Sequence, residues 1–96
     1  IDLRKNSKTF LKSYILELDS SKLNMILIPE GFAHGFQTLT DNCTMLYLHS
    51  NFYNASFERG IRFDDRVINI ELPLPVTDVS ERDKNHPLIQ KEFEGI

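Results

Sequence analysis

The sequence predicts an all-β fold for its 96 residues. Short runs of alternating apolar and polar residues recur along the chain, and turn-forming residues separate them at intervals of roughly eight to twelve residues. Few segments show helical spacing, which argues against an α/β fold and favours a sandwich or barrel. With 41% hydrophobic residues, the chain suits one ordinary globular core, and we treat residues 1–96 as a single domain.

Six segments are predicted to be strands because apolar side chains alternate along them or, in the second, run together. In chain order they are residues 13–18, 24–28, 32–39, 43–49, 60–63 and 67–71. Asp, Asn, Ser, Pro and Gly favour turns between them. These turns are expected at residues 19–21, 29–31, 40–42 and 64–65. From Pro73 onward we expect a loop-rich tail with one or two helical turns over residues 88–93.

Composition excludes several classes of protein. The formal charge is −3 and the basic residues are dispersed, so no continuous basic face is predicted for nucleic acid. No apolar run approaches the ~20 residues of a membrane span. The single cysteine, Cys43, forms no internal disulfide, which favours a cytoplasmic protein. The chain opens at Ile1 with what resembles the end of a strand, and we expect further chain before it.

A short motif in the third predicted strand carries a titratable side chain. Pro29-x-Gly31-x-x-His34 resembles the second motif of the cupin superfamily, whose members are jelly-roll barrels. On the strand, His34 shares a face with Phe32 and Phe36, so it is either a hydrogen-bonded core histidine or a functional group. A cupin metal site also needs a His-x-His pair, which this sequence lacks, and we therefore predict no metal site.

Five ordered blocks resemble a single family with the cupin fold, the dTDP-4-dehydrorhamnose 3,5-epimerases. They are Asp2-Leu3-Arg4 with Ser7-x-Thr9-Phe10, residues 28–36, Leu46-Tyr47, residues 58–65, and Ser80-Glu81-Arg82-Asp83. The resemblance covers essentially the whole chain and matches the C-terminal half of the family's domain. It implies a partial cupin-type jelly-roll barrel that forms part of a larger domain.

The resemblance also implies an activity. The family inverts carbons next to the C4 ketone of a nucleotide-linked 4-keto-6-deoxysugar, in rhamnose biosynthesis for cell-surface polysaccharides. A histidine base removes a proton, an acid on the opposite face returns one, and no cofactor is used. The family is dimeric, so we expect a homodimer. The expected base histidine lies in the family's N-terminal half, outside these residues.

Two residues correspond to catalytic positions of the family. Tyr47 matches the tyrosine acid, and on the fourth predicted strand it shares a face with Met45. Asp83 matches the aspartate that orients the base histidine. From the residues alone, Tyr47 is equally a core tyrosine with a bonded hydroxyl, and Asp83 belongs to a solvated charge cluster on a loop.

Four further residues correspond to substrate contacts: His34, Tyr53, Glu58 and Arg82. Arg82 stands where the family usually has lysine, and Glu58 alternatively forms an exposed salt bridge with a neighbouring arginine. Glu30 and Arg66 replace prolines that are usual in the family. Two other functions remain open from the sequence, namely a non-catalytic sugar-binding cupin module and a metal-dependent cupin.

Overall fold

The computed structural model describes residues 1–96 and contains almost no regular secondary structure. Its one helix, α1, spans Glu81–Lys84, and its one β interaction is an isolated antiparallel bridge between Asp2 and Phe32. Turns and irregular loops form the remainder. The prediction of an all-β fold with a cupin-type jelly-roll barrel is therefore wrong, since no predicted strand pairs with another.

The physical reason is the absence of backbone ladders. The chain forms 18 backbone–backbone hydrogen bonds, none of them inside a helix or strand, whereas globular proteins form about two for every three residues. Apolar side chains of the predicted strands lie on the surface, where Leu27 is 89% and Leu46 86% exposed. Alternating polarity tells which side chains share a face, but it does not supply a neighbouring strand.

The turns lie close to their predicted positions. Ser21 N donates to Asp19 Oδ1 at 2.8 Å, and Lys22 N donates to Asp19 O at 3.0 Å. Further turns and bends occupy residues 30–31, 40–42 and 63–64. Gly31 has a φ of +85°, a left-handed conformation that glycine adopts without strain. Turn chemistry acts within a few residues, so it does not depend on a sheet.

The buried carboxylate of Asp2 organises the N-terminal segment. Asp2 is 2% exposed. Its Oδ1 accepts from Arg4 Nε at 2.9 Å, and its Oδ2 accepts from Arg4 Nη2 at 2.9 Å. The hydroxyls of Ser7 and Thr9 also donate to Oδ2, at 2.5 and 2.6 Å. The Arg4 guanidinium lies 4.5 Å from the centre of the Phe32 ring, a cation–π contact.

Backbone hydrogen bonds hold this segment between two distant stretches of the chain. On one side, Leu3 N donates to Gly31 O at 2.9 Å, and Ala33 N donates to Ile1 O at 3.0 Å. On the other side, Ile96 N donates to Leu3 O at 2.8 Å. The first residues, the residues around Gly31 and the C-terminal residue therefore form one hydrogen-bonded unit.

A second buried carboxylate ties the chain after residue 62 to its C-terminal part. Asp65 is 3% exposed, and its Oδ1 accepts from Val67 N at 2.7 Å. Its Oδ2 accepts from Ile89 N at 2.6 Å. Ile68 is the one buried apolar residue, at 5% exposure. Hydrogen bonds to two carboxylates, rather than a large apolar core, thus define the buried interior.

Helix α1 is a single turn defined by the residues that flank it. Ser80 caps its start, since Ser80 Oγ accepts from Asp83 N at 3.1 Å. Asn85 closes its end by donating from Nδ2 to Glu81 O at 2.6 Å. A serine three residues before an aspartate favours a helix start, so the helix forms here and not over residues 88–93, where we expected it. No helix of the structure is long and apolar enough to span a membrane.

We predict that Asp65→Ala destabilises the intact protein by about 1–3 kcal/mol, the usual penalty for stranding buried donors. The substitution leaves the amides of Val67 and Ile89 without their acceptor. The matched control is Asp64→Ala, which removes only the partly exposed ion pair with Arg62. Urea unfolding measures both variants, and equal losses of stability would contradict the assignment.

We predict that Asp2 makes stability depend on pH in the acid range. The hydrogen bonds from Arg4, followed by those from Ser7 and Thr9, hold the pKa of Asp2 well below its ordinary value. Its stabilisation is therefore complete above the unfolded-state pKa of about 3.9 and is lost as the pH falls through the lower folded-state pKa. In urea unfolding at a series of pH values, Asp2→Asn should show a shallower acid decline than the wild type. Parallel declines would refute this prediction.

Candidate functional site

Four residues selected from the sequence are linked by hydrogen bonds through Glu58 and Arg82. Arg82 Nη1 donates to Glu58 Oε1 at 2.6 Å, and the Tyr53 hydroxyl donates to Glu58 Oε2 at 3.1 Å. Arg82 Nε also donates to Asp83 Oδ1 at 3.3 Å. We call Tyr53, Glu58, Arg82 and Asp83 the Glu58 cluster. It joins the chain around residue 58 to helix α1.

A tight turn brings Tyr53 and Glu58 together. Asn54 begins this turn, since its Oδ1 accepts from Ser56 N at 3.0 Å and its backbone oxygen accepts from Phe57 N at 3.0 Å. Asparagine favours such turns because its side chain replaces a backbone acceptor. The turn reverses the chain between the two residues, so that the phenol of Tyr53 reaches the Glu58 carboxylate.

Asp83 is an anion beside a serine, an arginine and a histidine. The Ser80 hydroxyl, followed by the Arg82 guanidinium and the His86 ring, lowers the pKa of Asp83 from its ordinary value. Both nitrogens that approach the carboxylate, Arg82 Nε and His86 Nε2, lie on the side of Oδ1. The Asp83 side chain is 45% exposed. The carboxylate is therefore partly accessible to a further donor.

His86 adjoins the cluster, although sequence reasoning assigned it no role. Its Nε2 lies 3.6 Å from Asp83 Oδ1, and a Cβ at Gly60 would overlap its ring. The signal that points to this contact is a glycine directly after the Glu58-Arg59 pair. The role of this glycine can be recognised only once the position of the His86 ring is known.

The other two selected residues lie outside the cluster. The Tyr47 ring is 6.3 Å from that of Phe36 and 6.1 Å from that of His49, between centroids. Tyr47 is 44% exposed, and its hydroxyl forms no hydrogen bond within the chain. His34 is exposed and likewise forms none. The structure therefore gathers Tyr53, Glu58, Arg82 and Asp83 but not these two.

The potential metal ligands of the chain do not form a metal-binding group. No group of three or more His, Cys, Asp or Glu side chains has the geometry to hold a metal ion. His49 stacks on Tyr47 and His86 contacts Asp83, so the histidines lie in separate surroundings.

Comparison with known proteins gives a consistent set of matches. The family model described as dTDP-4-dehydrorhamnose 3,5-epimerase matches residues 1–91. A protein of that name from Shigella flexneri is 42% identical over 85 residues, which are 88% of this chain and 47% of the relative. Another from Methanothermobacter thermautotrophicus is 40% identical over 88 residues, covering 88% of this chain and 48% of the relative.

A more distant relative is described as acting on a different sugar. A protein from Streptomyces antibioticus, described as a probable dTDP-4-oxo-2,6-dideoxy-D-glucose 3,5-epimerase, is 32% identical and covers 100% of this chain and 52% of its own length. The chain thus spans about half the length of the curated relatives it matches. No solved structure gives a significant match.

We predict that Glu58→Gln lowers the pKa of Tyr53. The hydrogen bond to Glu58 and the charge of its carboxylate raise the pKa of the phenol above its ordinary value, because a phenolate beside a carboxylate is unfavourable. Absorbance titration of the phenolate, with a Tyr53→Phe variant subtracted, measures the change. Glu81→Gln is the matched control, since Glu81 pairs with Lys84 instead. An unchanged titration in Glu58→Gln would contradict the contact.

Proposed function

Because the chain belongs to the dTDP-4-dehydrorhamnose 3,5-epimerase family, we propose that the protein is a nucleotide-sugar epimerase of dTDP-rhamnose biosynthesis. Its substrate is a dTDP-linked 4-keto-6-deoxysugar. The observation that carries the proposal is the Glu58 cluster, in which residues selected from separate family motifs meet within hydrogen-bonding distance.

The reaction needs only a base and an acid on opposite faces of the sugar ring. The C4 ketone acidifies the hydrogens at C3 and C5, because the electron pair left by each proton is delocalised onto the ketone oxygen as an enolate. A base takes the C3 proton from one face. An acid then gives a proton to C3 from the other face, and the carbonyl re-forms with the carbon inverted.

Tyr47 serves as the acid, and Asp83 assists the base. The phenol of Tyr47 donates the returning proton, and solvent restores it afterwards. Asp83 orients the imidazole of the family's base histidine and stabilises its protonated form. The partial exposure of the Asp83 side chain, at 45%, supports this role, since it leaves the carboxylate accessible to an imidazole N–H. The lowered pKa of Asp83 keeps the carboxylate charged.

The remaining residues contact the substrate. Glu58 and Arg82 supply an acceptor and a donor to the sugar or its phosphates, and their partly exposed ion pair is weak enough to exchange for those contacts. Tyr53, at 78% exposure, offers an aromatic face to the sugar or the nucleotide base. His34, in the motif that begins at Pro29, donates a hydrogen bond to the sugar or accepts one from it.

The assembly is a homodimer in the cytoplasm. A second copy would cover large apolar side chains that lie on the surface, among them Phe52 at 98% exposure and Leu48 at 88%. A single cysteine fits a reducing compartment.

We predict that Tyr47→Phe in the intact protein separates exchange from inversion. The substitution keeps the ring contacts with Phe36 and His49 but removes the acid. Hydrogen at C3 should still exchange with deuterated solvent, whereas net epimerisation falls by about 10²-fold or more, the usual scale for loss of a positioned acid. NMR of the sugar in deuterated water measures both rates.

Asp83→Asn serves as the comparison for this experiment. It weakens the base itself, so exchange and inversion should fall together. Wild-type epimerisation in Tyr47→Phe would exclude Tyr47 as the acid. Absence of both exchange and inversion in the wild-type protein would refute the epimerase activity and leave a sugar-binding function.

A further inference from the structure

The absence of a side chain at Gly60 allows His86 to pack beside the Glu58 cluster. Its side chain is 21% exposed, against 45% for that of Asp83. A Cβ built on Gly60 would overlap three atoms of the ring, namely Nε2, Cε1 and Cδ2. Any side chain at position 60 would therefore displace the imidazole. The close approach requires glycine there, whereas a Cβ on Gly35 would meet nothing.

Two contacts connect the chain around residues 58–60 to the chain around residues 82–86, and Asp83 lies between them. The first is the ion pair between Glu58 and Arg82, at 2.6 Å. The second is the packing of His86 on Gly60. On the side of Oδ1, the carboxylate of Asp83 meets Arg82 Nε at 3.3 Å and His86 Nε2 at 3.6 Å. Both groups thus approach the same oxygen of the carboxylate.

Resting on the proposed function, we propose that His86 is a positioning residue that fixes the Asp83 carboxylate, and that Gly60 provides the space its ring requires. His86 and Arg82 both lie beside Oδ1, and these contacts keep the carboxylate in one orientation toward the base histidine. His86 itself acts only through Asp83. The charged groups around it are Asp83 and Arg82, with Glu58 behind Arg82.

The kinetic test compares two substitutions in the intact protein. His86→Gln keeps a planar group with an N–H at similar reach, whereas His86→Leu has similar bulk but no donor. We expect His86→Leu to lower kcat for C3 exchange by about tenfold or more, the scale of a misplaced catalytic group. KM should stay within about twofold, because no substrate contact is lost. His86→Gln should recover most of kcat.

A double-mutant cycle tests the packing on Gly60. Gly60→Ala in the wild type should lower kcat and Tm about as His86→Leu does, because its Cβ displaces the ring. In a His86→Ala background, Gly60→Ala should lower kcat and Tm little further, because the missing ring leaves space for the new Cβ. The matched cycle pairs Gly35→Ala with His86→Ala and should be additive, since a Cβ at Gly35 enters open space.

The outcomes separate this inference from the proposed function. An inactive wild-type protein would refute the epimerase activity and, with it, the role of His86 in the reaction. An active wild type whose kcat is unchanged in His86→Leu would overturn the role of His86 alone. Exchange lost as completely in His86→Gln as in His86→Leu would make the imidazole itself the proton carrier and overturn the positioning role. Additivity in the Gly60 cycle would overturn the packing.

Discussion

The arrangement of both chain ends depends on the buried carboxylate of Asp2. A buried charge is costly unless donors surround it, and here a guanidinium and two hydroxyls do so. Because the carboxylate holds Arg4, the arginine stem covers Gly31 and its guanidinium lies over Phe32. The backbone of the same segment then bonds to residues near both Gly31 and the C-terminus. One satisfied anion therefore orders three stretches that are distant in sequence.

The buried carboxylate of Asp65 contributes more to the position of the candidate site than the exposed ion pair of Glu58 and Arg82 does. Arg82 is 62% exposed in its contact with Glu58, and such solvated pairs contribute little to stability. By contrast, Asp65 accepts the Ile89 amide while 3% exposed, which fixes the chain just after α1 against the chain just after Gly60. This tie brings the segment that carries Arg82 and His86 close to the segment that carries Glu58 and Gly60.

Local chemistry was predictable from the sequence, whereas long-range pairing was not. Asp19 forms the expected bond to the Ser21 amide because a turn depends on neighbouring residues alone. The meeting of Glu58 with Arg82 was not visible in the spacing, but the family motifs selected both residues. The strand pattern around Leu27 and Leu46 failed as a guide to pairing, because alternation does not provide backbone partners. His86 was missed because its role depends on an empty space at Gly60.

Arg82 lets the site hold two carboxylates at once, which the lysine that the resemblance leads us to expect at this position could not do. Arg82 reaches Glu58 with Nη1 and Asp83 with Nε at the same time, because a guanidinium presents several donors in a rigid plane. A lysine has one nitrogen on a flexible stem and cannot keep both carboxylates in a fixed relative orientation. The plane of Arg82 thus couples a proposed substrate contact, Glu58, to the aspartate proposed to orient the base.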